Sequence, residues 1–356
     1  MKKIGILTFH RAHNCGALLQ AFALQEFLKK DYNPFFLDYY SKYVYNQYKI
    51  LKPLGKNPIK IPFRLYTNLK FYNLHKQKYY NYTRFIEQNL NIHPLSFYKT
   101  CDSIIVGSDQ VWNPNITGGV DKFYTLSFFK GKINKISYAA SFGNKNYLLE
   151  NKNKFKLKLS DFDFISVREE DSKVPLENII NKNVDVVLDP TLLLSKEKWD
   201  EYLDKKIVNE KYVLAYNIEP NKRYINLVNY VAKEKKCKII YFDKENIGYK
   251  YPLFSAYSFD PFDFINLIKN AEYIVTTSFH ATVFSIIFNK QFWVIPHAQT
   301  GARVINLLSQ FNLNYRIIKN DNFEHIFLDE VNYKMVNKQL ELERKKSADW
   351  LKNSLK

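Results

Sequence analysis

The chain has 356 residues, long for one hydrophobic core and short for three, so two domains of ordinary size are the expectation. Hydrophobic residues make up 46% and aromatics 17%, and the formal net charge of +18, from 53 Lys and Arg against 35 Asp and Glu, biases the surface towards phosphates, carboxylates, nucleic acid or an acidic membrane. Lysines spread along the whole chain are also what an ordinary solvated surface carries; three separated cysteines without a CxxC argue against a disulfide framework, and no apolar run reaches the roughly 18 residues that span a membrane.

The opening "MKKIGILTFH" reads as a first strand rather than a secretory leader, which predicts a cytoplasmic protein. Residues 17–30, "ALLQAFALQEFLKK", read as an amphipathic helix, and "NPFFLDYY" as the next strand. Strand, turn, helix and strand in that order open a parallel α/β sheet.

Residues 39–100 are crowded with Tyr, Lys and Asn and read as a helical insertion outside the central sheet. Such a surface suits an anionic membrane, at whose inner face the protein would then be peripheral; an ordinary helical flap has the same composition. Stacking on single-stranded nucleic acid has no RNP, KH or zinc-finger pattern behind it, so no nucleic-acid partner is expected.

Strands resume in "CDSIIVGSDQVWN", "KISYAASFG", "FDFISVREEDS" and "VDVVLDPTLLL". A charged hinge near residues 196–210 follows, and the rhythm restarts: "YVLAYNI", a helix over 221–236, "CKIIYF", "DPFDFINLIKNA", "EYIVTTS", "FHATVFSIIFN", "QFWVIP" and "RVINLLSQF". The division expected is 1–200, 201–330 and a C-terminal helix over 331–356 that braces the first domain, with a cleft between the two domains.

Ligands of parallel α/β sheets bind beyond the C-terminal ends of strands, and five polar groups fall there. The stretch "TFHRAHNCG" holds His10, His13, Asn14, Cys15 and Gly16; Asn14 and Gly16 suit a sharp turn with positive φ, leaving N–H groups near Ala17 for an anion or a sugar. A zinc site from His10, His13 and Cys15 matches no usual spacing, and no metal is expected. Ser108, Asp109, Gln110, Trp112 and Asn113 combine carboxylate, amide and indole as sugar recognition does; a capped helix with Trp112 in the core is the alternative. Arg168, leaving a buried strand, needs a partner: Glu169, Glu170, Asp171, or a ligand anion. In "TTSFHATVF", His280 falls in a first helical turn, placed to move protons, with N–H groups around Ser278 and Phe279 for an anion. "IPHAQTGARVINLL" adds His297 and Arg303, as pocket charge or as surface.

Taken in order, "NCGALLQAFALQ", "IVGSDQVWN", "SYAASFG", "SVREEDS", "VLDPTLLL", "TTSFHATVFSIIF" and "ARVINLLSQFNL" resemble the polysaccharide pyruvyl transferase family over roughly residues 4–315. The resemblance implies a GT-B-like α/β fold of two Rossmann-like domains facing a central cleft, acceptor side first and donor side second. It implies transfer of pyruvate from phosphoenolpyruvate (PEP) onto a hydroxyl pair of a cell-surface polysaccharide or its lipid-linked precursor, with no cofactor. The donor would be bound by Arg168, Ser278, Phe279, His280 and Arg303, with His280 as general acid and base. The acceptor would meet Asn14, Gly16, His10, His13, Ser108, Asp109, Gln110, Trp112 and Asn113, with Asp109 the weaker candidate for its base. Many family members carry arginine where this chain has Ser278, so Arg303 or a lysine has to supply that charge. The rival is a GT-B glycosyltransferase using a nucleotide sugar, for which Asp260 or Asp263 would hold ribose hydroxyls; a non-catalytic glycan or phosphate binder is a third reading.

Overall fold

The computed structural model describes residues 1–356 apart from 52, 56, 130, 205, 219, 220, 298–300, 325 and 329, and without the side chain of residue 58. It divides into two compact units. The first comprises Met1–Gln47, Phe85–Leu194 and Lys338–Lys356, the second Tyr48–Arg84 and Ser195–Asn337.

The first unit is built on seven parallel strands: β1 (Lys3–Leu7), β2 (Asn33–Asp38), β3 (Ile92–Pro94), β4 (Ser103–Val106), β5 (Asn134–Ala140), β6 (Phe164–Val167) and β7 (Asp185–Val186), in the order β3-β2-β1-β4-β5-β6-β7. β4, "SIIV", is buried at every position, as strands covered by helices on both faces are. Helix Cys15–Leu28 is buried on nearly all sides rather than amphipathic, which corrects the reading of residues 17–30. β3 lies inside the stretch read as an insertion, yet Phe36 to Asp38 pair with Ile92 to Pro94, so this part belongs to the sheet. "VDVVLDPTLLL" forms only a two-residue strand, because Asp189 opens a 3₁₀ turn over Pro190–Leu192.

The second unit carries β8 (Tyr212–Tyr216), β9 (Lys238–Tyr241), β10 (Pro252–Ser255), β11 (Tyr273–Thr276) and β12 (Gln291–Val294), in the order β10-β9-β8-β11-β12, all parallel. The edge strand β10 escapes sequence reading because its four-residue run opens on Pro and is only half-buried. Residues 48–84, expected within the first domain, group with this unit. Lys70 pairs with Glu245 at 2.6 Å, Asn81 Nδ2 donates to Ser258 O at 2.8 Å, and the Lys78 ammonium lies over the Tyr257 ring.

Residues 338–354 of helix Tyr333–Ser354 group with the first unit. Trp350 Nε1 donates to Asp185 (2.7 Å), Ser347 Oγ accepts from Leu188 N (2.9 Å) and Arg344 Nε donates to Leu192 O (2.7 Å). Among the described residues no helix is long and apolar enough to cross a membrane.

Candidate functional site

Each sheet reverses its winding once. In the first, β1 has β2 on one side and β4 on the other; in the second, β8 lies between β9 and β11. Chains leaving two such neighbours diverge to opposite faces and open a crevice at the C-terminal ends. The crevices fall after Leu7 and Val106 in one unit, and after Tyr216 and Thr276 in the other.

At the first crevice most of the expected acceptor contacts are turned inward. His10 is fully buried: Nδ1 lies 3.0 Å from Thr8 O, the ring stacks on Phe36, and Nε2 is 3.7 Å from Asp38. Burial lowers the histidine's pKa despite the Asp38 contact, and the His10 bond and the Arg11 fork hold the Asp38 carboxyl well below the carboxylate range. His10 is therefore structural, which corrects its assignment to the sugar. Asn14 has extended backbone (φ −133°) and caps the helix, its side chain accepting from Ala17 N at 3.1 Å. Gly16 is buried in the first turn, so neither residue makes the positive-φ turn expected and the Ala17 N–H is taken. His13 is half-buried on the same loop. No three His, Cys, Asp or Glu side chains converge as a metal site among the described residues.

The "GSDQVWN" loop is likewise packed from within. Gly107 (φ +107°) lets β4 pass so close to β5 that a Cβ would stand 2.3 Å from Tyr138 O. Ser108 is buried, its hydroxyl within hydrogen-bond distance of two acceptors, Ala139 O (2.9 Å) and Asp189 Oδ2 (3.1 Å). Trp112 is a core residue, Nε1 donating to Tyr124 O at 2.8 Å and its ring edge-on to Phe162. Asn113 is a buried cap for the short helix Pro114–Thr117 and donates to Gln110 Oε1 at 2.9 Å. Ser108, Trp112 and Asn113 are thus corrected from acceptor contacts to supports. Asp109 and the half-buried Gln110 stay nearest the surface, and Asp109 is held in left-handed backbone (φ 72°), a conformation Asp tolerates better than most.

Arg168 belongs to this edge too. Its Nη1 donates to Asp189 Oδ2 (2.8 Å), its Nε to Glu169 Oε1 (3.1 Å), and its Nη2 lies 3.8 Å from Asp109 Oδ1. Burial pulls its pKa down, but Glu169, Asp189 and Asp109 more than offset that and leave it raised. Its partners within the chain are Glu169 and the unanticipated Asp189, with Asp109 beside them. Glu170 and Asp171 lie instead in the first turn of helix Glu170–Ile180.

The second crevice has the opposite character. β11 ends at Thr276, and Ser278 caps helix Phe279–Ile287, accepting from Ala281 N at 3.5 Å while its own N–H donates to Thr276 Oγ1 at 2.9 Å. The Ser278 N–H, one of the groups expected to meet an anion, is thus engaged within the chain. His280, nearly buried, stands edge-on to Phe279 with centroids 5.1 Å apart. The Arg303 guanidinium, from helix Ala302–Gln310, lies 5.8 Å above the same Phe279 ring. Phe279 thus brings imidazole and guanidinium to one strand-end cluster. Gly301 N donates to His297 O at 2.8 Å, while residues 298–300 of this loop lie outside the described residues.

Two further residues of this edge went unnoticed in the sequence. Asn217, after β8, donates to both Asp243 oxygens at 3.1 and 3.0 Å, and Tyr249 adds a third bond at 2.8 Å. Burial pushes the Asp243 carboxyl up. The signal was an Asp directly after the buried run "KIIYF", a strand-end acid like Asp109.

Asp260 and Asp263, weighed as ribose holders, form a reciprocal capping box on helix Pro261–Asn270. Burial, then the Asp260 charge, raises the Asp263 carboxyl from 3.8 to about 6. Between those values the folded protein holds a proton that the unfolded chain releases, so this group's contribution to stability falls as pH rises through that window. Asp263→Asn is expected to flatten that part of the pH profile, read as the difference in urea midpoints between variant and wild type from pH 4 to 7. Parallel profiles would contradict this assignment.

A family model described as polysaccharide pyruvyl transferase matches residues 14–299. No curated protein matches the chain significantly. Among solved structures, the UDP-GlcNAc 2-epimerase from Neisseria meningitidis bound to UDP-GlcNAc aligns with a TM-score of 0.50 at 14% identity, over 98% of this chain and 94% of that one. The S. aureus MnaA–UDP co-structure gives 0.49 at 14% identity, over 96% and 91%. MurG from Acinetobacter baumannii gives 0.41 at 10% identity, over 97% and 95%. The likeness is one of fold: GT-B-like, with two Rossmann-like units.

Proposed function

Because the chain belongs to the polysaccharide pyruvyl transferase family, and so is a transferase acting on glycans, we propose that it draws its pyruvate from PEP and bridges a hydroxyl pair of a sugar, free or lipid-linked. The observation that carries this reading is the Phe279 cluster, which sets the His280 imidazole and the Arg303 guanidinium together at a strand-end crevice. PEP carries a carboxylate and a phosphate, and a guanidinium fork pairs with either through charge-assisted bonds. Arg303 thereby stands in for the arginine that Ser278 replaces.

In the reaction, protonation of the methylene carbon leaves positive charge at C2. One sugar hydroxyl adds there, phosphate departs, and the second hydroxyl closes the ketal. Of the two hydroxyl protons, one balances the proton gained by the new methyl group and the other leaves with phosphate. His280 is the group we assign to these transfers, while Asp109, held by the Arg168 cluster, is the weaker candidate for activating the acceptor hydroxyl. Proton transfer and anion binding suffice for this chemistry, so the scheme calls on no metal or redox cofactor.

Calorimetric titration with PEP tests the donor assignment. Wild type is expected to bind it, and Arg303→Ala to bind roughly 10-fold to 100-fold more weakly, the range for losing a hydrogen bond to a charged group. Binding of a nucleotide sugar with none of PEP would hand the site to the rival glycosyltransferase reading. Asp260 and Asp263, the ribose candidates of that reading, form a capping box on helix Pro261–Asn270.

A further inference from the structure

Helix Ile61–Lys70 of the second unit is inside out. Its one buried residue is polar, Asn68 at 5% exposure, and beside half-buried Ile61 the half-buried Arg64 and Thr67 are bonded locally, Arg64 Nη1 donating to Leu54 O at 2.6 Å and Thr67 Oγ1 to Arg64 O at 3.0 Å. Its apolar residues face solvent, with Phe63 at 68%, Tyr66 at 59% and Leu69 at 67% exposure, beside Ile59 at 87% in the turn before it. Ile59, Phe63, Tyr66 and Leu69 follow at steps of four, three and three, which aligns them along one side of a helix. Leu65 is exposed beside them, and the loop they adjoin presents Leu51 and Leu54. Hydrophobic residues in a water-facing stripe above a polar, bonded underside mark a surface meant for an apolar partner.

Charge identifies the partner. Residues 48–84 contain seven lysines and two arginines and not one Asp or Glu, and of these cations Lys70 pairs with Glu245 and Arg84 with Asp260. Exposed Lys49, Lys60 and Lys76 belong to the same stretch. A second copy of the chain would bring the same positive charge and be repelled. Nucleic acid offers bases to stack on, and Ile59, Leu65 and Leu69 have no π-face to meet them. A bilayer of anionic lipid satisfies both features, with phosphates for the lysines and an acyl boundary for the stripe.

We propose that the face formed by Ile59, Phe63, Leu65, Tyr66 and Leu69 lies in the plane of an anionic membrane surface. Binding is peripheral, and it stands apart from the PEP reading because the test contains no donor.

The test is sedimentation of the whole protein with vesicles of phosphatidylcholine alone or mixed with a minority of phosphatidylglycerol. Wild type is expected to pellet only with the anionic vesicles. A Phe63→Ser/Leu69→Ser double variant, altered at exposed positions and so unchanged in melting temperature, is expected to bind at least about tenfold more weakly. Lys60→Glu is expected to lose roughly fivefold or more. The proposal is overturned by wild type staying in the supernatant, by equal pelleting with pure phosphatidylcholine, or by a double variant that pellets like wild type. Retention on heparin without vesicle binding would overturn it in favour of a soluble polyanion, and a dimer abolished by the double variant would overturn it in favour of self-association.

Discussion

Arg168→Ala is expected to lower the stability of the first unit by about 3–5 kcal/mol, the cost of leaving buried charges without their counter-ion. The side chain is 3% exposed and faces Asp189, Glu169 and Asp109, of which Asp189 is wholly buried. Removing the cation leaves Glu169 and Asp189 as neighbouring anions away from water. For a unit of this size the melting temperature should fall roughly 10 °C, read by scanning calorimetry. Arg168→Lys should recover part of this, since an ammonium keeps the charge but does not fork to Asp189 and Glu169 at once. An alanine variant that melts like wild type would show that the carboxylates find other partners. The same logic rules out Arg168→Ala as a clean probe of donor binding, because lost PEP affinity in that variant would report a damaged fold.

His280→Gln should slow turnover by about 100-fold to 10,000-fold, the range for losing a well-placed acid and base, while PEP affinity changes only a few-fold. Glutamine keeps hydrogen-bonding groups near the place of the imidazole but does not carry protons at neutral pH. The measurement is phosphate release from PEP with a glycan pool that supports wild-type turnover, alongside the calorimetric titration used for Arg303. A variant with kcat near wild type would move the proton transfers elsewhere. If affinity falls as far as kcat, His280 binds the donor rather than protonates it.

Much of the architecture was legible because a covered parallel strand has a plain signature. "KIGIL", "SIIV" and "YIVT" are short apolar runs followed by small or polar residues, Thr8, Gly107 and Thr277, and each is a strand. β3 and β10 were hidden because edge strands bury little. The strand ends were legible for the same reason, since they fall where the apolar runs stop. What a polar residue does at a strand end was not legible. His10, Ser108 and Trp112 are of types that contact sugars, yet each has a partner from a distant part of the chain: Asp38, Asp189 and the Tyr124 carbonyl. Arg168 finds Asp189 twenty-one positions on. Those pairings are made by the fold, and residue type does not announce them. The Asp-Pro of "VLDPTLLL" was the available clue, because an Asp opening a turn at the end of a buried run has its carboxylate aimed back at the sheet.

The discontinuity of the first unit bears on how the polypeptide matures during synthesis. Its seven strands are complete once residue 186 has been made, but the acceptor for the Leu188 N–H is the Ser347 hydroxyl and the partner of Asp185 is the Trp350 indole. Asn134 donates to Ser354 O, and Lys2 to Leu355 O. While the ribosome translates the second unit, the flank of the first that will receive residues 338–356 stays uncovered. The nascent chain therefore begins its first unit early and closes it late.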